Sequence, residues 1–183
     1  MEMKFVGKGL PRVDGWEKST GGAEYTIDLK LPRMLYGKIL RSPLPHARIL
    51  SIDTYQARRL PGVKAVITGE NVPAGRFGTW LKDQVIFARR KVRYIGEPVA
   101  AVAAIDEDTA QDALELIDVK YEELPGVFDP IEAMKPEAPI IHEDLASYEA
   151  IPGFPAIKYG NVCSFARIKY GDVEKGSRRS HTL

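Results

Sequence analysis

The sequence predicts an α+β fold, and three observations support this prediction. A near-continuous apolar run at residues 99–105 is followed by an amphipathic helix pattern and then by an alternating strand at 118–122. The chain has 183 residues, of which 44% are hydrophobic, which is enough for one core. Its single cysteine excludes an internal disulfide. We therefore expect one mixed α/β domain that folds without disulfide bonds. It should contain a mixed sheet and two main helices.

The first thirty residues are rich in glycine and polar groups. Asp14-Gly15 and Gly21-Gly22 are typical of turns. Residues 1–30 are therefore predicted to be an approach segment that leads into the domain.

Three strands and a short helix are predicted next. Residues 34–42, 48–53 and 63–68 carry enough Leu, Ile and Val for strands, and Pro43 ends the first of them because it lacks the N–H that a sheet needs. Asp53 or Thr54 can cap a short helix, which Pro61 ends. Residues 69–78 are predicted to be a loop.

The strongest pattern lies in the second half of the domain. Residues 85–87 and 92–95 suit a hairpin around the basic run at 89–91. The apolar run at 99–105 is predicted to be a central strand, because both of its faces suit burial. Asp106 can cap the helix that follows, whose apolar face is Ala110, Ala113, Leu114 and Ile117.

These elements place the domain at residues 31–135. After Met134 several prolines interrupt the sequence, so residues 136–176 are predicted to be an extended arm. Residues 177–183 contain no apolar residue except Leu183 and are expected to be a disordered tail.

Charge and hydropathy exclude some function classes. Lys and Arg number 26 against 25 Asp and Glu, which disfavours a dedicated nucleic-acid binder. The longest apolar run is far shorter than the ~20 residues that a membrane-spanning helix needs. The N-terminal residues carry glycine and charge where a secretory signal would be apolar. We expect a cytoplasmic protein without a membrane partner.

No catalytic or metal-binding constellation is visible. His46, His142 and His181 lie far apart and form no HxH or HExxH pair, which argues against a metal site. Cys163 could be a nucleophile if a histidine approached it, but its apolar neighbours favour a small buried side chain. Trp16 and Trp80 are expected to be packing residues rather than stacking platforms, although Trp80 could also cover a partner surface.

Glu97 is the most interesting carboxylate, because Gly96 and Pro98 place it at the start of the buried strand. A desolvated carboxylate is either paired within the structure or functional. Arg89, Arg90, Lys91 and Arg93 lie just upstream, so an ion pair or a backbone hydrogen bond is favoured over an acid–base role.

Several motifs, in a fixed order, resemble one family. They are RVDG at 12–15, MLYGKILRSP at 34–43, HARI at 46–49, LPGV at 60–63, VRYIGEPVA at 92–100 and GDV at 171–173. Their order and spacing from Val6 to about Gly176 are similar to the α/β hammerhead domain that opens the molybdenum-binding large subunit of the xanthine dehydrogenase and aldehyde oxidase family.

The resemblance implies a scaffolding and subunit-contact domain rather than a complete enzyme. It makes Gly96, Glu97, Pro98 and His46 structural motif residues and assigns no catalytic, cofactor or metal residue to this chain. The parent enzyme is expected to hold molybdopterin in later domains of the same subunit, where a glutamate acts as base. Partner subunits or domains would carry [2Fe–2S] clusters and FAD. The reaction would be hydroxylation of an aldehyde, a purine or another N-heterocycle, or a related oxidation or reduction.

We expect the basic residues Arg89, Arg90 and Arg93 to form an interface with the rest of that assembly. Two alternatives stay open. The chain could be a stand-alone binding module with a hammerhead fold, or a small enzyme that uses Glu97, since burial can raise the pKa of a carboxylate.

Overall fold

The computed structural model describes residues 6–172 and 174. The chain divides into two compact units, Met1–Met34 and Leu35–Leu183. The predictions for the tail at 177–183 and for His181 lie outside the described residues.

The first unit contains one short helix, α1 (Gly15–Thr20), and a 3-10 turn (Thr26–Asp28). The prediction of turns alone in this segment missed α1. Asp14 and Gly21, which suggested turns, are the N-cap and C-cap residues of that helix, and Gly21 adopts the left-handed φ of 77° that glycine tolerates at a helix end. No residue of either element is buried.

The second unit contains the remaining elements. In chain order they are β1 (Tyr36–Arg41), β2 (Ala47–Asp53), α2 (Tyr55–Arg59), β3 (Val63–Thr68), a 3-10 turn (Gly69–Asn71), β4 (Lys91–Val92), β5 (Pro98–Ala104), α3 (Glu107–Glu115), β6 (Asp118–Glu123), α4 (Pro130–Ala133), a 3-10 turn (Leu145–Ser147), β7 (Ala156–Tyr159) and β8 (Val162–Ser164). This content confirms the predicted fold class. Each strand pair that the described residues form is antiparallel, however, so neither three-stranded sheet is mixed.

The first sheet has the strand order β1-β5-β3. The prediction that the apolar run forms a central strand is confirmed, because β5 pairs with β1 on one side and with β3 on the other. Helices α2 and α3 cover one face of this sheet. On that face Val66 and Val102 pack against Ala57 of α2 and Leu114 of α3.

The second sheet has the order β4-β2-β6, and it corrects the predicted hairpin. Residues 85–87 form no strand, and β4 pairs with β2 instead. The reason is that the segment is fastened to other elements: the Ala88 N–H donates to Pro98 O at 2.8 Å, and the Ile49 N–H donates to Arg90 O at 2.8 Å. The basic run therefore does not reverse the chain on itself.

The predicted strand–helix–strand unit forms with all three elements, but its two strands lie in different sheets. Asp106 caps α3, and its Oδ1 accepts the Thr109 N–H at 2.7 Å. Strand β6 cannot join β5, since β1 and β3 occupy both edges of that strand. It pairs with β2, where the charged Glu122 meets Arg48.

Residues 136–176 contain a 3-10 turn and the β7–β8 hairpin. Leu145 and Tyr148 are buried there against Leu81, and Phe154 packs on the same cluster. The Leu81 backbone also forms an isolated bridge with Ala150. This stretch thereby forms one side of the candidate functional site.

Candidate functional site

A tight corner joins β4 to β5, and Gly96, Glu97 and Pro98 form it. Gly96 has a φ of 91°, which favours glycine. Its N–H donates to Ser42 O at 2.8 Å, and the Ser42 N–H donates to Glu97 O at 2.9 Å. The two bonds fasten the corner to the chain just after β1.

The Glu97 side chain is buried, with only 5% exposed. Its Oε2 accepts the backbone N–H of Arg93. Burial raises the pKa of the Glu97 carboxyl, while that N–H bond and the nearby charges of Arg93, Lys91 and Arg76 oppose the rise. The Glu97 carboxylate thus accepts a hydrogen bond from a backbone N–H and lies near several cations.

His46 lies directly before β2 and is also buried. Its Nδ1 lies 2.6 Å from Pro125 O, and its own carbonyl accepts the Leu124 N–H at 2.9 Å. Because a carbonyl only accepts, Nδ1 carries the proton. The Nε2 atom is buried and has no hydrogen-bond partner among the described residues. His46 therefore ties the start of β2 to the chain after β6.

Five cations, which we call the basic cluster, line a cavity of about 290 Å³ together with Asp144. They are Arg76, Arg89, Arg90, Lys91 and Arg93. Three of them are the predicted interface residues Arg89, Arg90 and Arg93, which the structure brings together. The cavity is open to solvent at Arg90, which is exposed.

Internal partners hold most of the cluster in place. The Lys91 Nζ is paired with Glu143, and the Arg89 Nη2 donates to Val72 O. The Arg76 Nη1 donates to Asp83 O at 3.2 Å, while its guanidinium lies 4.2 Å from the centre of the Tyr148 ring.

Arg90 differs from these residues. Its backbone carbonyl is bonded to Ile49, but its guanidinium forms no hydrogen bond or ion pair with another residue of the described part of the chain. Within the described residues, no side chain therefore neutralises the charge of Arg90.

His142 and Tyr148 lie beside the cluster. The His142 Nδ1 is 3.0 Å from the Tyr148 hydroxyl, and the rings meet edge to face. Burial, reinforced by the charge of Arg93, lowers the pKa of His142 to about 4. The imidazole is therefore neutral at pH 7 and adds no charge to the site.

Sequence reasoning missed Arg76, Glu143 and Tyr148 as parts of this site. Glu143 lies 52 residues from Lys91 along the chain, and Tyr148 lies farther still. No local pattern links such distant positions, so only the packing of residues 136–176 reveals them.

The expectation that Cys163 is buried was wrong, and the two tryptophans differ from each other. Cys163 is exposed rather than buried, because it lies on the short β7–β8 hairpin. It lines a cavity of about 410 Å³ that His142 also lines, but no hydrogen bond joins these two described side chains. Trp16 and Trp80 are both exposed, and Trp80 stacks on Phe154 with ring centres 6.2 Å apart.

Within residues 6–172 and 174, no three His, Cys, Asp or Glu side chains gather as a metal site requires. The same part of the chain contains no helix with the length and apolar character needed to cross a membrane.

Comparison with known proteins identifies a domain family. Residues 20–125 match the family model described as aldehyde oxidase and xanthine dehydrogenase, a/b hammerhead domain. The corner, His46 and the basic cluster from Arg76 to Arg93 all lie inside the matched range.

Several relatives align over a larger share of the chain. A probable xanthine dehydrogenase subunit of Bacillus subtilis (strain 168) is 43% identical over 173 residues, which are 94% of this chain and 21% of that protein. The nicotinate dehydrogenase large molybdopterin subunit of Eubacterium barkeri is 36% identical, over 94% of this chain and 37% of that protein.

Among solved structures, reconstituted CO dehydrogenase from Oligotropha carboxidovorans matches with a TM-score of 0.70 and 42% identity, over 75% of this chain and 18% of that one. The chain thus spans less than half the length of each of these relatives.

Proposed function

This chain belongs to the aldehyde oxidase and xanthine dehydrogenase family, and from that premise we propose that it is the N-terminal hammerhead domain of a molybdenum-dependent hydroxylase large subunit. The observation that carries the proposal is the pattern of coverage. The relative from Bacillus subtilis matches 94% of this chain with only 21% of its own length. A domain that recurs inside much longer subunits has a role within them, so we assign it scaffolding and subunit contact.

The names of the relatives support the cofactor and the assembly. One is a large molybdopterin subunit, and another is a subunit of a probable xanthine dehydrogenase. We propose that the remaining large-subunit domains hold molybdopterin, and that an iron–sulfur subunit and a flavin subunit or domain complete the enzyme. The single cysteine fits a reducing compartment, so we place this enzyme in the cytoplasm.

The described residues do not themselves fit these cofactors. A [2Fe–2S] cluster needs four protein ligands, usually cysteines, whereas the chain has only Cys163. The cavity of about 410 Å³ is lined by Asp83 and Asp129, which would repel the phosphate of molybdopterin. The basic cavity has suitable charge, but Ala74 and Val85 are its only apolar walls for a pterin ring. We therefore derive no catalytic step from this chain.

The corner and the basic cluster have complementary roles in this proposal. Glu97 holds the Arg93 N–H in the corner after β4, and His46 ties the start of β2 to Pro125 after β6, so both fix the backbone that carries the cluster. Arg89, Arg90 and Arg93 then form the contact surface, with Arg90 the cation least committed to internal partners. The partner surface is expected to be acidic, because buried like charges would repel.

The size and metal content of the native protein test the proposal. We expect an antibody against this chain to detect, in source cells, a polypeptide several times larger than 20.3 kDa that retains molybdenum after gel filtration. The isolated chain, tested in parallel, should retain none. A native product of 20.3 kDa without a longer form would contradict the proposal and favour the stand-alone binding module.

Charge reversal tests the contact surface. The double variant Arg89→Glu and Arg90→Glu should weaken assembly of the native complex by about tenfold or more, because each close charge pair contributes on the order of 1 kcal/mol. Arg58→Glu with Arg59→Glu, at two exposed positions of α2, is the matched control and should assemble normally.

Since Arg89 also bonds to Val72 O, the single variant Arg90→Glu separates loss of contact from loss of folding. Normal assembly of the Arg90→Glu variant and of the double variant would contradict the proposed role.

A further inference from the structure

The two faces of the first sheet differ in how far other elements cover them. One face is covered by α2 and α3. On the other face the strand registers align two rows across β1, β5 and β3. The rows are Ile39–Ala101–Ile67 and Gly37–Ala103–Ala65, which we call the bare face.

The bare face is apolar and open. Ile39 is 44% exposed and Ile67 is 38% exposed, although both belong to well-formed strands. The alanines of the central strand are only half-buried, whereas Val99, at the start of the same strand face, is buried against Ala47 and Val92 of the second sheet. Neither row contains a charged or hydroxyl-bearing side chain. Such a face, left in water, is a site for association or aggregation.

The second sheet shows what a solvent-facing sheet surface looks like in the same molecule. Most of its outward positions are charged or polar, and Arg48 of β2 pairs with Glu122 of the adjacent β6. Farther along the same strand, Ser51 is paired with Lys120. Antiparallel sheets commonly keep one polar face toward water in this way. The first sheet has the same opportunity but carries alanine, glycine and isoleucine instead.

The shape of the bare face indicates what kind of group covers it. Gly37 and the three alanines form a shallow floor, and Ile39 and Ile67 stand at its two sides. An occupant must bring apolar side chains that pack into this floor. A partner recognised by charge would find nothing to pair with there.

The area of the bare face indicates whether its occupant is a separate protein or a covalently attached segment. Two residues on each of three strands, with strands ~4.8 Å apart and ~3.3 Å of rise per residue, cover on the order of 200 Å². A stable interface between separate proteins buries roughly 800 Å² on each partner. The patch is therefore too small to hold a second copy of the chain by itself. A covalently attached segment has no such requirement, because it is present at high effective concentration.

We propose that the bare face is an intramolecular docking surface, covered by apolar side chains from the part of the large subunit that lies outside this chain. This inference rests on the proposed function, since it takes the chain to be one domain of a longer subunit. Most of the length of each relative described above lies outside the matched segment, so sequence for such a cover exists in them.

Hydroxyl-radical footprinting tests the inference, with mass spectrometry measuring the labelling of Ile39 and Ile67. The samples are the 183-residue chain, the complete large polypeptide alone, and the native complex. We expect rapid labelling in the chain and a several-fold drop in the large polypeptide, with no further drop in the complex. Leu50, exposed on β2 of the second sheet, is the internal control and should be labelled as rapidly in the polypeptide as in the chain.

Other outcomes overturn the inference. Equal labelling in all three samples would mean that the face is exposed to solvent. Protection that appears only in the complex would assign the cover to a separate subunit, and concentration-dependent protection in the chain alone would assign it to a second copy.

A paired substitution supplies an independent readout. Ile39→Glu with Ile67→Glu should reduce the yield of folded large polypeptide several-fold while the isolated chain keeps its circular dichroism spectrum. Leu50→Glu should change neither. If the cells contain no polypeptide longer than this chain, the proposed function itself is contradicted. Should one exist with a freely labelled bare face, only this inference fails.

Discussion

Glu97 offers a prediction in which burial and hydrogen bonding act in opposite directions. Glu97→Ala removes the acceptor of the Arg93 N–H and leaves that buried donor unpaired, which costs about 1–3 kcal/mol. The lost packing of a side chain that is only 5% exposed adds about 1 kcal/mol. We therefore expect the variant to lose about 2–4 kcal/mol of unfolding free energy.

Glu97→Gln keeps an oxygen for the Arg93 N–H and removes only the charge. Because burial raises the pKa of Glu97 in the folded state, the folded protein binds more protons than the unfolded chain just above pH 4.5. The contribution of Glu97 to stability is therefore greatest at low pH and falls as the pH rises through the folded-state pKa. Glutamine resembles the protonated form, so this variant should stay within about 1 kcal/mol of the wild type at low pH and become relatively more stable as the pH rises.

Urea unfolding followed by circular dichroism, at several pH values between about 4.5 and 8, measures both effects. The informative quantity is the unfolding free energy of the wild type minus that of Glu97→Gln, since other titrating groups cancel in it. It should fall as the pH rises. The exposed Glu149→Gln variant is the control and should give the opposite trend, because the hydrogen bond from Lys82 lowers the pKa of Glu149. A difference that rises with pH would refute the reasoning, because it would mean that the cations stabilise the carboxylate more than burial penalises it.

Three further predictions concern the core, a close contact and a neutral histidine. Leu114→Ala should lower the unfolding free energy, measured in urea, by about 3 kcal/mol, because Leu114 is only 8% exposed. Leu116 is 42% exposed, so Leu116→Ala should lower it by about 1 kcal/mol. Equal losses would contradict the assigned core. Gly78→Ala should prevent native folding or lower the melting temperature sharply, because a Cβ there would lie 1.9 Å from Leu81 O; an unchanged melting curve would rule out this close approach. The pKa of His142, lowered to about 4 by partial burial, predicts that stability falls by roughly 1–3 kcal/mol as the pH drops from 6.5 to 4, and His142→Asn should reduce this loss in the same titration; a variant with the wild-type pH profile would contradict it.

The sequence predicted individual elements better than it predicted their partners. Residues 63–68 and the helix capped by Asp106 formed where the patterns indicated, since periodicity and capping are local properties. Pairing is not local. The β4 strand joined β2 because backbone groups at Ala88 and Arg90 bond to distant strands, and no repeat in the sequence encodes that choice. The site divides in the same way: the run of cations was visible in the sequence, but Arg76 reaches it from an earlier loop and Glu143 from a later segment, so only the packing shows that they belong to it.

The central place of β5 in the first sheet has a consequence for biosynthesis. Strands β1 and β3 do not pair with each other, so each waits for β5 before it gains a sheet partner. Residue 37 must find residue 103 across a long intervening chain, and such non-local pairing slows folding. As the chain is made from its N-terminus, the isoleucine-bearing strands stay unpaired until residue 104 has emerged. Translation therefore passes through a vulnerable interval, and a chaperone that recognises extended apolar segments would act during it.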